Sequence, residues 1–356
     1  MKYRIINIDA LRGVAVLLVI WHHFFEMTST NSENFILRCI SQFFIIFGAS
    51  GVQIFFILSG FIIFRQASTR SDQFRFQDFM FERYTRLWPG IFLVGISAIP
   101  LLELKRWAFC ILPSITLLHP LLFNKALDAM GFFWFSDVMW TLFSEIRFYV
   151  LFAIVFSLLR NCSFHTKAKV LIIFFMVGKF LAHLPLGESI HNIAEMITLS
   201  RDSTYFGLGL ALAIISEEET RRIVIRFKLV IVISFAVIIE MFTVNPVFEF
   251  YYFVIPLTVL AVNVKVSNKL LKRFAKYVGT PSYISYLLHL NTFYLTEIYV
   301  GYKSATFYLI ILPFLIIVLS YFLHRNFELP AIRHLRRLYL KTKTLGQTKP
   351  QQGNLY

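Results

Sequence analysis

Residues 8–26 read Ile8-Asp9-Ala10-Leu11-Arg12-Gly13-Val14-Ala15-Val16-Leu17-Leu18-Val19-Ile20-Trp21-His22-His23-Phe24-Phe25-Glu26. The run matches the roughly 20 residues a helix needs to cross bilayer hydrocarbon, yet it keeps ionisable groups in its interior. Further apolar runs lie near 40–64, 87–104, 107–123, 141–159, 170–184, 203–216, 229–244, 248–264, 282–300 and 305–323, joined by short separators rich in Pro, Gly or charge. Of the 356 residues, 57% are hydrophobic and 15% charged, against roughly 25% charged in soluble domains. This composition excludes an ordinary soluble globule, a disordered chain and a fibre. The expected fold is an all-α polytopic membrane helical bundle: one domain over 1–340, followed by a polar tail, 341–356, expected to be disordered.

The formal net charge of +15 would suggest nucleic acid in a soluble protein, so the placement of the basic residues decides. Cytoplasmic loops of membrane proteins carry an excess of Lys and Arg. With the N-terminus inside and 107–123 not crossing, the inner segments hold 26 basic residues and the outer ones 6. If 107–123 crossed, every later basic loop would change side. About ten transmembrane helices with both termini cytoplasmic follow, with 105–140 an apolar, partly embedded element on the outer side. Orientation in the lipid bilayer explains the charge, and no nucleic-acid partner is expected.

The first run could pass for a secretory signal, since Lys2 and Arg4 precede it. Asp9 and Arg12 interrupt it and no small-residue cleavage site follows, so it is expected to be retained as a helix. Cys39, Cys110 and Cys162 form neither a disulfide framework nor a zinc spacing. Inert thiols are expected, with a disulfide between Cys39 and Cys110, which share the outer side, as the alternative.

Ionisable groups within a span are costly and face the bundle interior or a wet cavity. Arg12 and His23 are eleven residues apart, which returns to within about 20° of one helix face, about 16 Å along the axis. Arg12 could instead snorkel to the interface beside Asp9, and His23 could serve helix packing. Glu145, in Trp140-Thr141-Leu142-Phe143-Ser144-Glu145-Ile146-Arg147-Phe148-Tyr149, starts a span running the opposite way and reaches a depth comparable to His23. A carboxylate beside an imidazole holds a general base in one tautomer and stabilises its imidazolium. Pairing of Glu145 with Arg147 is the plainer alternative, weakened because residues two apart on a helix do not face each other.

Arg83 and Arg86 share a face at i and i+3 just before a span, where guanidinium groups could clasp a phosphorylated ligand or simply obey the charge bias. Gly51, Ser59 and Gly60 suit close helix approach, and a buried Gln53 requires a partner. His289 lies within a span and could line the cavity, with structural hydrogen bonding the first expectation. No metal-ligating constellation and no phosphate-cradling glycine motif is present in the sequence.

These segments, in this order, resemble the acyltransferase-3 family of integral membrane acyltransferases, which includes bacterial O-acetyltransferases of surface polysaccharides. The resemblance runs over roughly residues 5 to 325. It rests on Arg12 and His23 with ten residues between them, Gly51 to Phe61, Arg83 and Arg86 before Pro89, Trp140 to Tyr149, and a compressed Ile284 to His289. The departures are Gln53 in place of an acidic residue, Ile146 in place of a second glutamate and Arg147 in place of glutamine.

The resemblance implies an O-acyltransferase of the bacterial cytoplasmic (inner) membrane. Its donor would be acetyl-CoA and its acceptor a hydroxyl of a lipid-linked or nascent cell-surface glycan, with no metal required. His23 would be the catalytic base with Glu145 in support, and Arg12, Arg83 and Arg86 would hold the cofactor. The rival reading is a proton- or substrate-coupled transporter using the same intramembrane charges. Paired halves with matching broken helices, common in transporters, are not found in the sequence.

Overall fold

A computed structural model of the chain describes residues 6–28, 35–69, 74–116, 135–182, 202–217, 268–301 and 305–347. Every regular element among them is helical. The helices are α1 (Ile6–Thr28), α2 (Phe35–Phe47), α3 (Ser50–Ser68), α4 (Phe76–Ala98), α5 (Leu104–Thr116), α6 (Trp140–Leu158), α7 (Phe164–Ala182), α8 (Ser203–Glu217), α9 (Lys269–Phe274), α10 (Ser282–Tyr299), α11 (Ala305–Leu323) and α12 (Leu329–Gln347). A 3-10 turn, Asp137–Met139, leads into α6, and single π-helical turns, Ala275–Gly279 and His324–Glu328, follow α9 and α11.

Four stretches among the described residues are long and apolar enough to cross a membrane: Ile6–Thr28, Phe35–Ser68, Asp137–Leu158 and Ile311–Lys343. Most of the apolar runs coincide with helices, while the runs expected at 229–244 and 248–264 lie outside the described residues, as do Lys2, Arg4 and residues 348–356. The run at 40–64 belongs to a longer, bent unit, α2 and α3 joined at Gly48 and Ala49. At that bend Gly48 lies against α1 so closely that a Cβ would strike His22 and the Leu18 carbonyl. The polar tail expected from 341 is helix as far as Gln347.

Hydrophobicity all round a helix marks a buried one. α1 has this character and packs on α2, α3, α10 and the 275–279 turn. α3 also crosses α8, where a Cβ on Gly60 would strike the Phe206 carbonyl and one on Gly209 the Ile57 carbonyl. Apolar side chains on the outer faces are exposed, among them Phe35, Ile36 and Phe43 on α2 and Phe314, Val318 and Phe322 on α11. Bands of this kind suit hydrocarbon rather than water. None of the three cysteines is in a disulfide.

Candidate active site

α1, α3, α4, α6 and α10 enclose a cavity of about 50 Å³, room for a few water-sized groups. Its polar lining is Arg12, Ser59, Arg86, Thr141, Glu145, Tyr283 and Tyr286. Glu145 is held from two helices: Ser59 Oγ donates to its Oε1 at 2.9 Å, and the Tyr149 hydroxyl, one turn along α6, donates to the same oxygen. Among the described residues, neither Arg12 nor Arg86 is within ion-pair distance of a carboxylate. Glu145 and Glu328 act on both only at longer range, and Asp9 on Arg12. Two guanidinium groups that keep their donors free of a direct ion pair suit a cavity that takes a polar acceptor group.

Arg83 does not line this cavity. It is 5% exposed, donates to Gln66 Oε1, and lies over the rings of Phe79 and Tyr149, 5.2 and 5.8 Å from their centroids. It therefore supports the Tyr149 to Glu145 contact from behind. Its i, i+3 spacing from Arg86 is real, but only Arg86 lines the cavity, while Arg83 turns to Gln66.

His23 and Glu145 do not meet. Among the described residues no hydrogen bond or ion pair joins them, and His23 is paired with His289 on α10. The order of donors in this pair follows from carbonyl chemistry, since a carbonyl oxygen only accepts. His289 Nδ1 lies 2.6 Å from the Tyr286 carbonyl and must carry a proton. In the neutral ring its Nε2 is then an acceptor, 3.2 Å from His23 Nδ1. That His23 nitrogen also lies 3.0 Å from the Val19 carbonyl and so is the donor to both. The basic nitrogen of His23 is therefore Nε2, which has no hydrogen-bond partner among the described residues. His289 is fully buried, whereas His23 is half-buried.

The histidine pair is not isolated from the cavity. The ring of Tyr286, which lines it, lies 5.8 Å from that of His289, and His289 lies 5.0 Å from His23. His22 points elsewhere, toward the Phe44 carbonyl at 3.2 Å. His22 Nε2 is 3.6 Å from Glu26. His22, His23 and Glu26 bring possible ligand atoms within 4.8 Å of one another, a grouping across one turn that the sequence reading passed over. Gln53 Oε1 is buried without a hydrogen-bond partner among the described residues.

Two contributors, Tyr149 and Glu328, were missed in the sequence, and so was the partner of His289. Tyr149 could have been found by counting one helical turn from Glu145. The pairing role of His289 could not, because it depends on how α10 is rotated against α1. Glu328 is 4% exposed and bonds His324 at 2.5 Å. It lies on a π-helical turn beyond the last apolar run, where the charge pattern indicates only a cytoplasmic segment.

Comparison with known proteins gives one family, whose model, described as an acyltransferase domain, matches residues 5–325. No curated protein and no solved structure matches.

Proposed function

The chain belongs to this acyltransferase-3 family, and from that premise we propose that it is a membrane O-acyltransferase moving acetyl from cytoplasmic acetyl-CoA to a hydroxyl of a lipid-linked or nascent cell-surface glycan at the bacterial inner membrane. The family supplies the reaction class. The observation that carries the mechanism is the hydrogen-bond order of the histidine pair, which leaves His23 Nε2 as the free base.

In this reading His23 Nε2 takes the proton of the acceptor hydroxyl as its oxygen attacks the thioester carbonyl. The carbon–sulfur bond breaks, and the imidazolium returns its proton to the departing CoA thiolate. The products are an ester, free CoA thiol and neutral His23. His289 is the positioning residue. It accepts from His23 Nδ1–H, and that hydrogen bond strengthens as the ring becomes cationic. Glu145, first expected beside His23, serves instead as the shared counter-charge of Arg12 and Arg86. Those two cations line the passage that the donor's arm would follow toward His23 and offer hydrogen-bond donors to its amide oxygens. Arg83 supports from behind by fixing Tyr149.

The test is label transfer from acetyl-CoA to membrane glycan in cells making wild-type protein, His23→Ala or Arg83→Ala at matched protein level. Transfer by the wild type, with about 10²–10⁴-fold loss in His23→Ala and a clear loss in Arg83→Ala, is expected. Substrate uptake without acetyl transfer would establish the transporter instead.

A further inference from the structure

A second, larger cavity of about 470 Å³ opens where the start of α4, the end of α6 and the start of α7 meet. It is lined by Phe74, Arg75, Phe76, Gln77, Phe156, Ser157, Arg160 and Lys167. Three of these are cations and none is an acid. Its volume is in the range of small-molecule sites, and it belongs to the end of the bundle that the charge bias assigns to the cytoplasm.

Cations at the ends of helices normally point into water, and Arg75 and Arg160 do so. Lys167, in the first turn of α7, does not. It is 3% exposed, and among the described residues its Nζ has only the Arg160 carbonyl at 3.3 Å and the face of Phe156 at 5.5 Å. Among the described residues no carboxylate pairs with it. Asp78, next in sequence to the lining residue Gln77, is already taken by Lys343 and Tyr339. A buried ammonium without a counter-ion is costly, so an anion entering here satisfies Lys167 while Arg75 and Arg160 close around it. Phe74 and Phe76 offer flat apolar surface at the rim, suited to stacking a base.

We propose that this cavity binds the phosphate groups at the nucleotide end of the acyl donor. The proposal rests on the acyl-CoA reading above and assigns to Arg75, Arg160 and Lys167 the phosphate contacts that spacing alone suggested for Arg83 and Arg86. The two cavities share one face of α6. Glu145, Tyr149, Phe152 and Phe156 recur on it, and from Glu145 at the first cavity to Phe156 at the second is about 16 Å at 1.5 Å per residue. The same phosphate chemistry could come from an anionic lipid headgroup, so the experiment separates the two sources.

Full-length protein in phosphatidylcholine nanodiscs, with and without phosphatidylglycerol, is titrated with ADP, which carries a nucleotide diphosphate but no arm. The variants are Arg160→Gln, which alters an exposed residue, Lys167→Met, which keeps the buried stem, and Arg86→Gln at the first cavity. ADP binding in phosphatidylcholine is expected, weakened about tenfold by each of the first two changes and unaffected by the third. Equal affinity in all variants overturns the proposal. So does binding of phosphatidylglycerol with none of ADP, which would make the cavity a lipid site. If ADP binding follows Arg160 and Lys167 while His23→Ala still transfers acetyl, the phosphate site stands and the catalytic reading falls. The converse result overturns the site alone.

Discussion

His289 separates two accounts of His23. If His23 acts alone, changing its neighbour alters little; if the pair acts as a unit, the neighbour sets the tautomer. His289→Gln preserves an acceptor through its amide oxygen, whereas His289→Leu preserves volume and removes it. At equal protein level, His289→Leu is expected to lower the rate of acetyl transfer about 10- to 100-fold with little change in KM for acetyl-CoA, and His289→Gln to restore part of it. Equal rates in all three proteins would remove His289 from the mechanism. Tyr149→Phe tests the other cluster. It deletes one donor to Glu145 while keeping the ring under Arg83, and a rise in KM for acetyl-CoA is the expected result if Glu145 holds the cavity's charge in register.

Among the elements, α12 is tied to α4 by one carboxylate. Lys343 Nζ lies 2.7 and 2.9 Å from the two oxygens of Asp78, and the Tyr339 hydroxyl donates to it at 2.6 Å. Those bonds, led by Lys343, hold the Asp78 carboxyl below its usual range. A carboxyl lowered in this way contributes stability above the ordinary carboxylate pKa, and the contribution is lost as pH falls through the lowered value. The helix is therefore expected to stay docked at neutral pH and to loosen only below about pH 4. Hydrogen exchange of α12 against pH checks this, and Asp78→Asn is expected to give the loosened pattern at pH 7. A separate element-level constraint is the crossing of α3 and α8. Gly209→Leu puts a side chain where the Ile57 carbonyl sits, so loss of the folded protein, seen as aggregation in detergent chromatography, is the expected outcome.

For the whole molecule the open quantity is orientation, and native cysteines can report it. Cys39 and Cys162 are exposed, and Cys110 is buried. With both termini cytoplasmic, Cys39 faces out and Cys162 faces in. A membrane-impermeant maleimide is expected to leave Cys162 unlabelled in intact cells and to reach it only after permeabilisation. Labelling of Cys162 in intact cells would invert the topology, and with it the side from which the proposed donor arrives.

Much of this protein was determined by its sequence alone. Helix class, membrane embedding and most helix positions follow from the length and hydropathy of each run, because the cost of placing a residue in hydrocarbon depends chiefly on that residue. The intramembrane Arg12, His23 and Glu145 stand out for the same reason. Only the tertiary structure decided their partners on other helices. Glu145 turned to Ser59, His23 to His289, and Arg83 to Gln66, while three cations gathered around a cavity that no spacing announced. Hydropathy is additive along a chain and survives any rotation of the helices, whereas a hydrogen bond exists only within about 3 Å, so helix rotation and the close glycine crossings select which groups touch.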